Sequence, residues 1–209
     1  MNKYWENVWT GVEAKDYKKY IDLNYDYKII DIFKKNNISR VCDAACGFGK
    51  YSAIFSKNNF EISGFDISEK SVSLTKDMLN EFHLKFMEFC VCSITNISYQ
   101  DEAFDGVIAH AVIDHLIATD AIVALNELFR ITRKNGLVYL SFDGLEVDDI
   151  EKSHEVLEDG SYKYIDDSRE GMIFKYYTNA EIDKLIINKE ILYFNTKQNG
   201  EREVVLRKN

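Results

Sequence analysis

The segment Asp43-Ala44-Ala45-Cys46-Gly47-Phe48-Gly49 sets a carboxylate beside a run of small residues. Small side chains let a ligand reach the backbone, and a helix that begins after such a turn offers unpaired N–H groups. Asp66 supplies a second carboxylate at the end of the apolar run Phe60–Asp66. His110 ends another apolar run, with Asp114 and His115 just beyond it, and Asp143 ends a further one. Histidine and carboxylate accept protons near neutral pH, so His110 and Asp143 are the candidates for a general base.

Three cofactor classes use turns of this kind, and the residue types separate them. A P-loop needs Gly-x4-Gly-Lys-Ser/Thr. Gly49-Lys50 fits its middle, but Ala44 stands at the first glycine and Tyr51 at the magnesium-binding hydroxyl. A dinucleotide fingerprint needs Gly-x-Gly-x-x-Gly. Here the small residues read Ala45-x-Gly47-x-Gly49, and Asp43 would repel a pyrophosphate. A cofactor with a cationic head and no phosphate removes that objection. S-adenosylmethionine (SAM) carries an adenosine, a sulfonium and an ammonium, which an acid beside the turn attracts.

The elements that position these residues follow from hydrophobic spacing. Ile21, Tyr25, Ile29 and Phe33 share one face of a helix expected over Lys15–Lys35. Strands are expected at Arg40–Asp43, Phe60–Asp66, Leu84–Cys92, Phe104–His110 and Leu137–Asp143, with helices between them. Lys50–Lys57 is one such helix; Ser68 is the expected N-cap of another. Thr119 or Asp120 is the expected cap of a third, which Lys134-Asn135-Gly136 should end. Thr178 and Glu181 form a capping-box pattern for a helix through about Asn188. Asn199-Gly200 joins two closing strands, Glu190–Lys197 and Glu201–Lys208, as an antiparallel hairpin. The order predicts an α/β fold: a doubly wound, mostly parallel seven-stranded sheet with helices on both faces and an antiparallel last strand. Ligands of such sheets bind beyond the strand C-termini, at the switch point.

In these motifs the chain resembles the class I SAM-dependent methyltransferases. Asp43-x-Ala45-x-Gly47-x-Gly49 is similar to that family's first motif, with Ala45 for the first glycine. Gly64-Phe65-Asp66-Ile67-Ser68 resembles the second-strand segment, and Cys92-Ser93-Ile94 the segment after the third strand. Phe104–Ile108 and Glu127–Leu137 resemble the later strands and their helix. The resemblance covers about residues 38–143 and implies a Rossmann-like methyltransferase fold. It also implies SAM as cofactor, S-adenosylhomocysteine (SAH) as product, and cofactor contacts from Asp43, Ala44, Ala45, Gly47, Gly49, Asp66, Ile67, Ser93, Ile94 and His110. Asp66 would hold the ribose hydroxyls, Ile67 would pack on adenine, and Ser93 replaces an Asp that commonly binds the adenine amino group.

Composition bounds the rest. A net charge of −9 disfavours binding a phosphate backbone, so no nucleic-acid partner is expected. No run reaches the ~18 apolar residues of a membrane span, and Met1–Glu6 lacks a signal-peptide core. Cys42, Cys46, Cys90 and Cys92 lack zinc-knuckle spacing, so buried thiols and no metal are expected. The expectation is a single cytoplasmic domain over residues 1–209. Residues 1–37 would form an N-terminal helical flap bearing Tyr4, Trp5, Trp9, Tyr17 and Tyr20, and residues 144–176 an acidic insert or lid, irregular from Gly144 to Gly171. The acceptor is expected to be a small molecule. The alternatives are a protein acceptor, or a SAM-binding sensor or partner subunit without catalysis. Oligomeric state stays open.

Overall fold

A computed structural model describes residues 2–17 and 27–209, with the backbone alone for residues 2, 16 and 17. Five parallel strands form the frame: β1 (Arg40–Ala44), β2 (Glu61–Asp66), β3 (Phe89–Val91), β4 (Phe104–Ala109) and β5 (Thr132–Phe142). The closing hairpin, β9 (Glu190–Thr196) and β10 (Arg202–Arg207), completes a sheet ordered β3-β2-β1-β4-β5-β10-β9. β10 runs antiparallel to both its neighbours. The expected mostly parallel seven-stranded sheet with an antiparallel last strand is thus observed.

Central strands covered on both faces read as near-continuous apolar runs, and every residue of β4 is buried, Asp105 included. One face is packed by α2 (Lys28–Lys35), α3 (Lys50–Lys57) and α4 (Glu69–Glu81), through Phe33, Phe55 and Met78 among others. The other is packed by α5 (Ala118–Ile131) and α7 (Asn179–Leu185), through Leu128 and Ile182. The strand order reverses between β1 and β4, which opens a crevice at their C-terminal ends.

The caps show where local signals hold. Ser68 Oγ accepts from Ser71 N (3.1 Å) and starts α4. Thr178 and Glu181 form the capping box of α7, which ends at Leu185 rather than near Asn188. The loop between β9 and β10 turns through Gly200 at φ 82°. The first helix is shorter than expected: Ala14–Tyr17 is a 3-10 turn, and the described helix is α2, with Ile29 and Phe33 buried. Ile21 and Tyr25 lie outside the described residues, as does Tyr20.

Three expectations are corrected by tertiary contacts. The third strand keeps only Phe89–Val91 of Leu84–Cys92, because it is a sheet edge paired to β2 alone. Lys134-Asn135-Gly136 does not end α5. The helix stops at Ile131 and β5 begins at once, with Asn135 (φ 59°) in a bulge. Asn135 N donates to Lys208 O (2.8 Å) and Lys208 N to Gly136 O (2.9 Å), so the left-handed residue serves strand pairing. Neither Thr119 nor Asp120 caps α5. The cap residue is Ile117, and Asp159 Oδ2 accepts from Ala118 N at 2.6 Å.

Asp159 belongs to the segment expected to be irregular. That segment instead folds as α6 (Val147–Glu151) and a three-stranded antiparallel sheet of β6 (His154–Val156), β7 (Tyr162–Tyr164) and β8 (Ile173–Phe174). An N-terminal helix, α1 (Asn2–Val8), packs Tyr4 and Trp5 against its Tyr164, Met172 and Phe174. Asp159 also holds Ser161 through N (3.0 Å) and Oγ (2.8 Å), and its carbonyl accepts from the buried Lys175 (2.6 Å). It therefore joins insert to helix. Asp159→Ala removes a helix cap worth about 1–2 kcal/mol. Urea unfolding should show that loss, with protease cleavage of the insert rising in parallel.

Candidate active site

A cavity of about 570 Å³ occupies the crevice. Its walls come from the turn after β1, the end of β2, the segment after β3, the end of β4 and helix α1. That volume lies within the usual range for small-molecule sites, about 300–1,000 Å³.

Asp66 lies on the wall and is nearly buried. Its Oδ2 accepts from Gly47 N (3.0 Å) and its Oδ1 from Ser68 N (2.9 Å). Burial raises its pKa, and the N–H groups of Ser68 and Gly47 oppose that rise. The same turn is held from outside the cavity, where Ser71 Oγ (2.6 Å) and Thr75 Oγ1 (2.9 Å) donate to Gly47 O. Ala45, in place of the first glycine, takes φ 56°. A non-glycine residue rarely adopts that backbone, so the turn is strained and over-determined by its neighbours.

Asp43 also faces the cavity, yet its Oδ2 is engaged by Ser52 N (2.9 Å) and Ser52 Oγ (2.6 Å) on α3. Burial pushes its carboxyl up to about 7 against the Ser52 hydrogen bonds, with Asp66 adding to the rise. Ile67, Ser93 and Ile94 line the same cavity, as do Ala45 and Gly47. Ser93 Oγ is drawn into its own turn, accepting from Thr95 N (3.2 Å) and pairing with Thr95 Oγ1 (2.8 Å).

Two expected contact residues do not line the cavity. Ala44 is fully buried among the core side chains on the α5 and α7 face. Gly49 turns at φ 82°, and a Cβ there would come within 2.7 Å of Met78 and Thr75 side-chain carbons. Its glycine is required by the approach of α3 to α4.

The two candidate bases separate. His110 lines the cavity, with its ring 4.5 Å from that of Tyr51 and its Nε2 3.4 Å from Glu201 Oε1. Asp143 is absent from the wall; its N–H donates to Asp114 Oδ2 (2.9 Å). Burial and the neighbouring Asp114 push its carboxyl up to about 6, against His115 and His110. Asp114, His115 and Asp143 bring ligand-type atoms within 4.8 Å of one another, the one such group among the described residues. His115 Nδ1 lies 3.0 Å from Ile173 O, so two of the three are already engaged. The cysteines are not among these three: Cys42 is buried in the core, Cys46 (buried) and Cys92 (half-buried) line the cavity, and Cys90 is half-buried.

Of the described aromatics expected on an N-terminal flap, two reach the cavity. Trp5 and Trp9 line the cavity; Trp5 meets His115 edge-on at 4.9 Å, and Trp9 carbons lie about 3.4 Å from where a Gly47 Cβ would stand. The side chain of Tyr17 and all of Tyr20 lie outside the described residues. Lys50, Tyr51 and Asp120 on the wall were not foreseen, nor was Glu201 behind His110. Tyr51 and Lys50 follow the glycine turn, where Lys50 fits a P-loop pattern and Tyr51 breaks it, and neither fact marks a wall residue. Glu201 carries no local signal, because a hairpin 91 residues beyond His110 brings it there.

Residues 42–140 match the family described as a methyltransferase domain. The chain is similar to the tRNA (carboxymethyluridine(34)-5-O)-methyltransferase alkbh8 of Xenopus tropicalis, with 32% identity over 105 residues. That match covers 49% of this chain and 15% of the frog protein. In fold it is similar to a SAM-dependent methyltransferase from Methanosarcina mazei (TM-score 0.73, 22% identity, 89% of this chain and 99% of the other). It is also similar to the Burkholderia thailandensis 1,6-didemethyltoxoflavin-N1-methyltransferase, solved with 1,6-didemethyltoxoflavin and SAH bound. That likeness has a TM-score of 0.67 at 15% identity, over 97% of this chain and 81% of the other.

The two glycines of the turn play separate roles, which gives a direct check. Gly49→Ala forces a Cβ into Thr75 and Met78 on a left-handed backbone, and should cost roughly 1–3 kcal/mol in urea unfolding. Gly49 does not touch the cavity, so the folded fraction should keep its ligand affinity.

Proposed function

We propose that the chain, whose residues 42–140 match a methyltransferase domain, is a SAM-dependent methyltransferase of the class I type that methylates a small-molecule acceptor by in-line displacement. The observation that carries the reading is Asp66: a carboxylate at the end of β2, fixed by Gly47 N and Ser68 N, on the wall of a largely apolar cavity. Such an acid at the switch point suits a ribose diol.

The residues present fit the cofactor. Asp66 would accept from the ribose hydroxyls, with Ile67 and Ile94 offering apolar flanks to the adenine. Asp43 would face the cationic methionine end, and Ala45 and Gly47 would let it approach the backbone. Bound SAM supplies a methyl group already activated by its sulfonium. Trp5 and Trp9 exclude water and confine the acceptor, so positioning by the cavity walls contributes most of the acceleration. Of the two candidate bases the role is assigned to His110, because it lines the cavity, and Asp143 is assigned no direct part.

A small acceptor is supported by the aromatic roof of Trp5 and Trp9 and by the net charge of −9, which opposes a phosphate backbone. The second reading is a tRNA acceptor, favoured by the similarity to the frog tRNA enzyme. Labelled methyl transfer from SAM decides between them: label in bulk tRNA supports the second reading, and label in a small-molecule extract supports the first.

Calorimetry tests the cofactor. SAM and SAH should bind saturably and NADH and ATP should not; the reverse would overturn the proposal. Asp66→Ala removes hydrogen bonds to a charged acceptor, each worth about 1.5–3 kcal/mol, so SAM affinity should fall roughly 100-fold or more. Affinity should also depend on pH. Asp43 becomes charged as pH rises through about 7, and only the charged form attracts an ammonium. SAH affinity should therefore climb from pH 6 to 7.5, by at most about tenfold per unit. Protons should be released on binding in that range, and Asp43→Asn should flatten the dependence.

A further inference from the structure

Behind the cavity lies a chain of polar contacts that cofactor binding does not use. His110 Nε2 stands 3.4 Å from Glu201 Oε1, and Lys197 Nζ bonds the same oxygen at 3.0 Å. Lys197 also reaches Glu203 (2.8 Å), and Glu203 accepts from Tyr139 OH (3.0 Å). The Tyr139 hydroxyl in turn lies 3.4 Å from that of Tyr51, whose ring packs on His110. Thus α3, β4, β5 and the closing hairpin all converge on one imidazole at the cavity wall. The ionisable groups around it are Tyr51, Tyr139, Asp143 and Glu201.

We propose that His110 takes the proton of the acceptor and that Glu201 is its positioning residue, so that the acceptor's nucleophilic atom carries a proton, as in a phenol, an enol or a heteroaromatic N–H. The proposal rests on the methyltransferase reading above. A carboxylate facing Nε2 favours the tautomer protonated there, which leaves Nδ1 as the basic nitrogen. Among the described residues no hydrogen bond is made to Nδ1. Glu201 remains charged in this position. Burial opposes the charge, but His110 and Lys197 outweigh it and hold the carboxyl down at about 2. The packed Tyr51 ring keeps the imidazole from turning away.

The step balances. The acceptor's X–H proton passes to Nδ1 as its lone pair forms the new bond to the methyl carbon. The electron pair of the broken C–S bond stays on sulfur, giving neutral SAH. The imidazolium, stabilised by Glu201, then returns its proton to water.

The test reads the ring directly. In ¹⁵N-histidine-labelled full-length protein, nitrogen shifts above about pH 8 report the tautomer of the neutral ring. The proposal expects His110 protonated on Nε2 and bare at Nδ1, and in Glu201→Leu a mixture of the two. A ring protonated on Nδ1 in the wild type would overturn it. SAH calorimetry on the same samples reports separately on the cofactor site and should change less than about twofold in Glu201→Gln, since the proposal gives Glu201 no contact with the cofactor.

Phenol and benzoate serve as probe acceptors, benzoate having no proton to lose. His110→Gln should lower kcat for phenol roughly 100-fold or more, and Glu201→Gln roughly tenfold with KM little changed. Equal phenol methylation in wild type and His110→Gln, or a preference for benzoate, would sink the proposal.

Discussion

The site depends on how a buried carboxylate is satisfied. Asp66 sits at the end of a strand covered on both faces, where an uncompensated charge would be costly. Its partners are two backbone N–H groups, one from the turn after β1 and one from the start of α4. Satisfying the acid therefore fixes the turn, and the turn fixes the approach to the cavity. Ser71 and Thr75 complete the arrangement by donating to the carbonyl of Gly47. These contacts hold Ala45 in a left-handed conformation that its side chain disfavours.

How much of this was legible follows from the range of each signal. Ser68, Thr178 and Asn199-Gly200 act through their immediate neighbours, so the sequence displays what they do. Asp43, Asp66 and Gly47 were legible because strand ends at a switch point gather whatever ligand chemistry the fold has. Ala44 and Gly49 belong to the same motif, but alternation along the strand turns Ala44 into the core, and helix packing claims Gly49. Asn135-Gly136 misled for a similar reason. A left-handed residue can end a helix or make a strand bulge, and the choice was made by Lys208, just past the last strand.

The acidic insert shows the same limit in another form. Its charges suggest a solvated loop, yet Asp159 replaces the local cap that α5 lacks. The insert also supplies the Tyr164, Met172 and Phe174 surface on which Tyr4 and Trp5 dock. Trp5 then meets His115 at the cavity wall. One polar contact and one apolar patch thus connect an irregular-looking segment to the roof of the site.

Asp43 and Asp66 show how burial alone does not define a role. Both are nearly buried and both face the same cavity, and desolvation raises both. Asp66 spreads its two oxygens over two separate backbone donors and so behaves as a fixed acceptor. Asp43 takes both Ser52 hydrogen bonds on one oxygen and sits near its titration point at neutral pH. A fixed acceptor suits a neutral diol, because the contact needs no change of charge. A carboxyl poised near 7 suits a cation, because the ligand itself supplies the free energy that ionises it. The adenosine and methionine ends of one cofactor would present those two demands, and the chain meets them with two acids at the ends of adjacent strands.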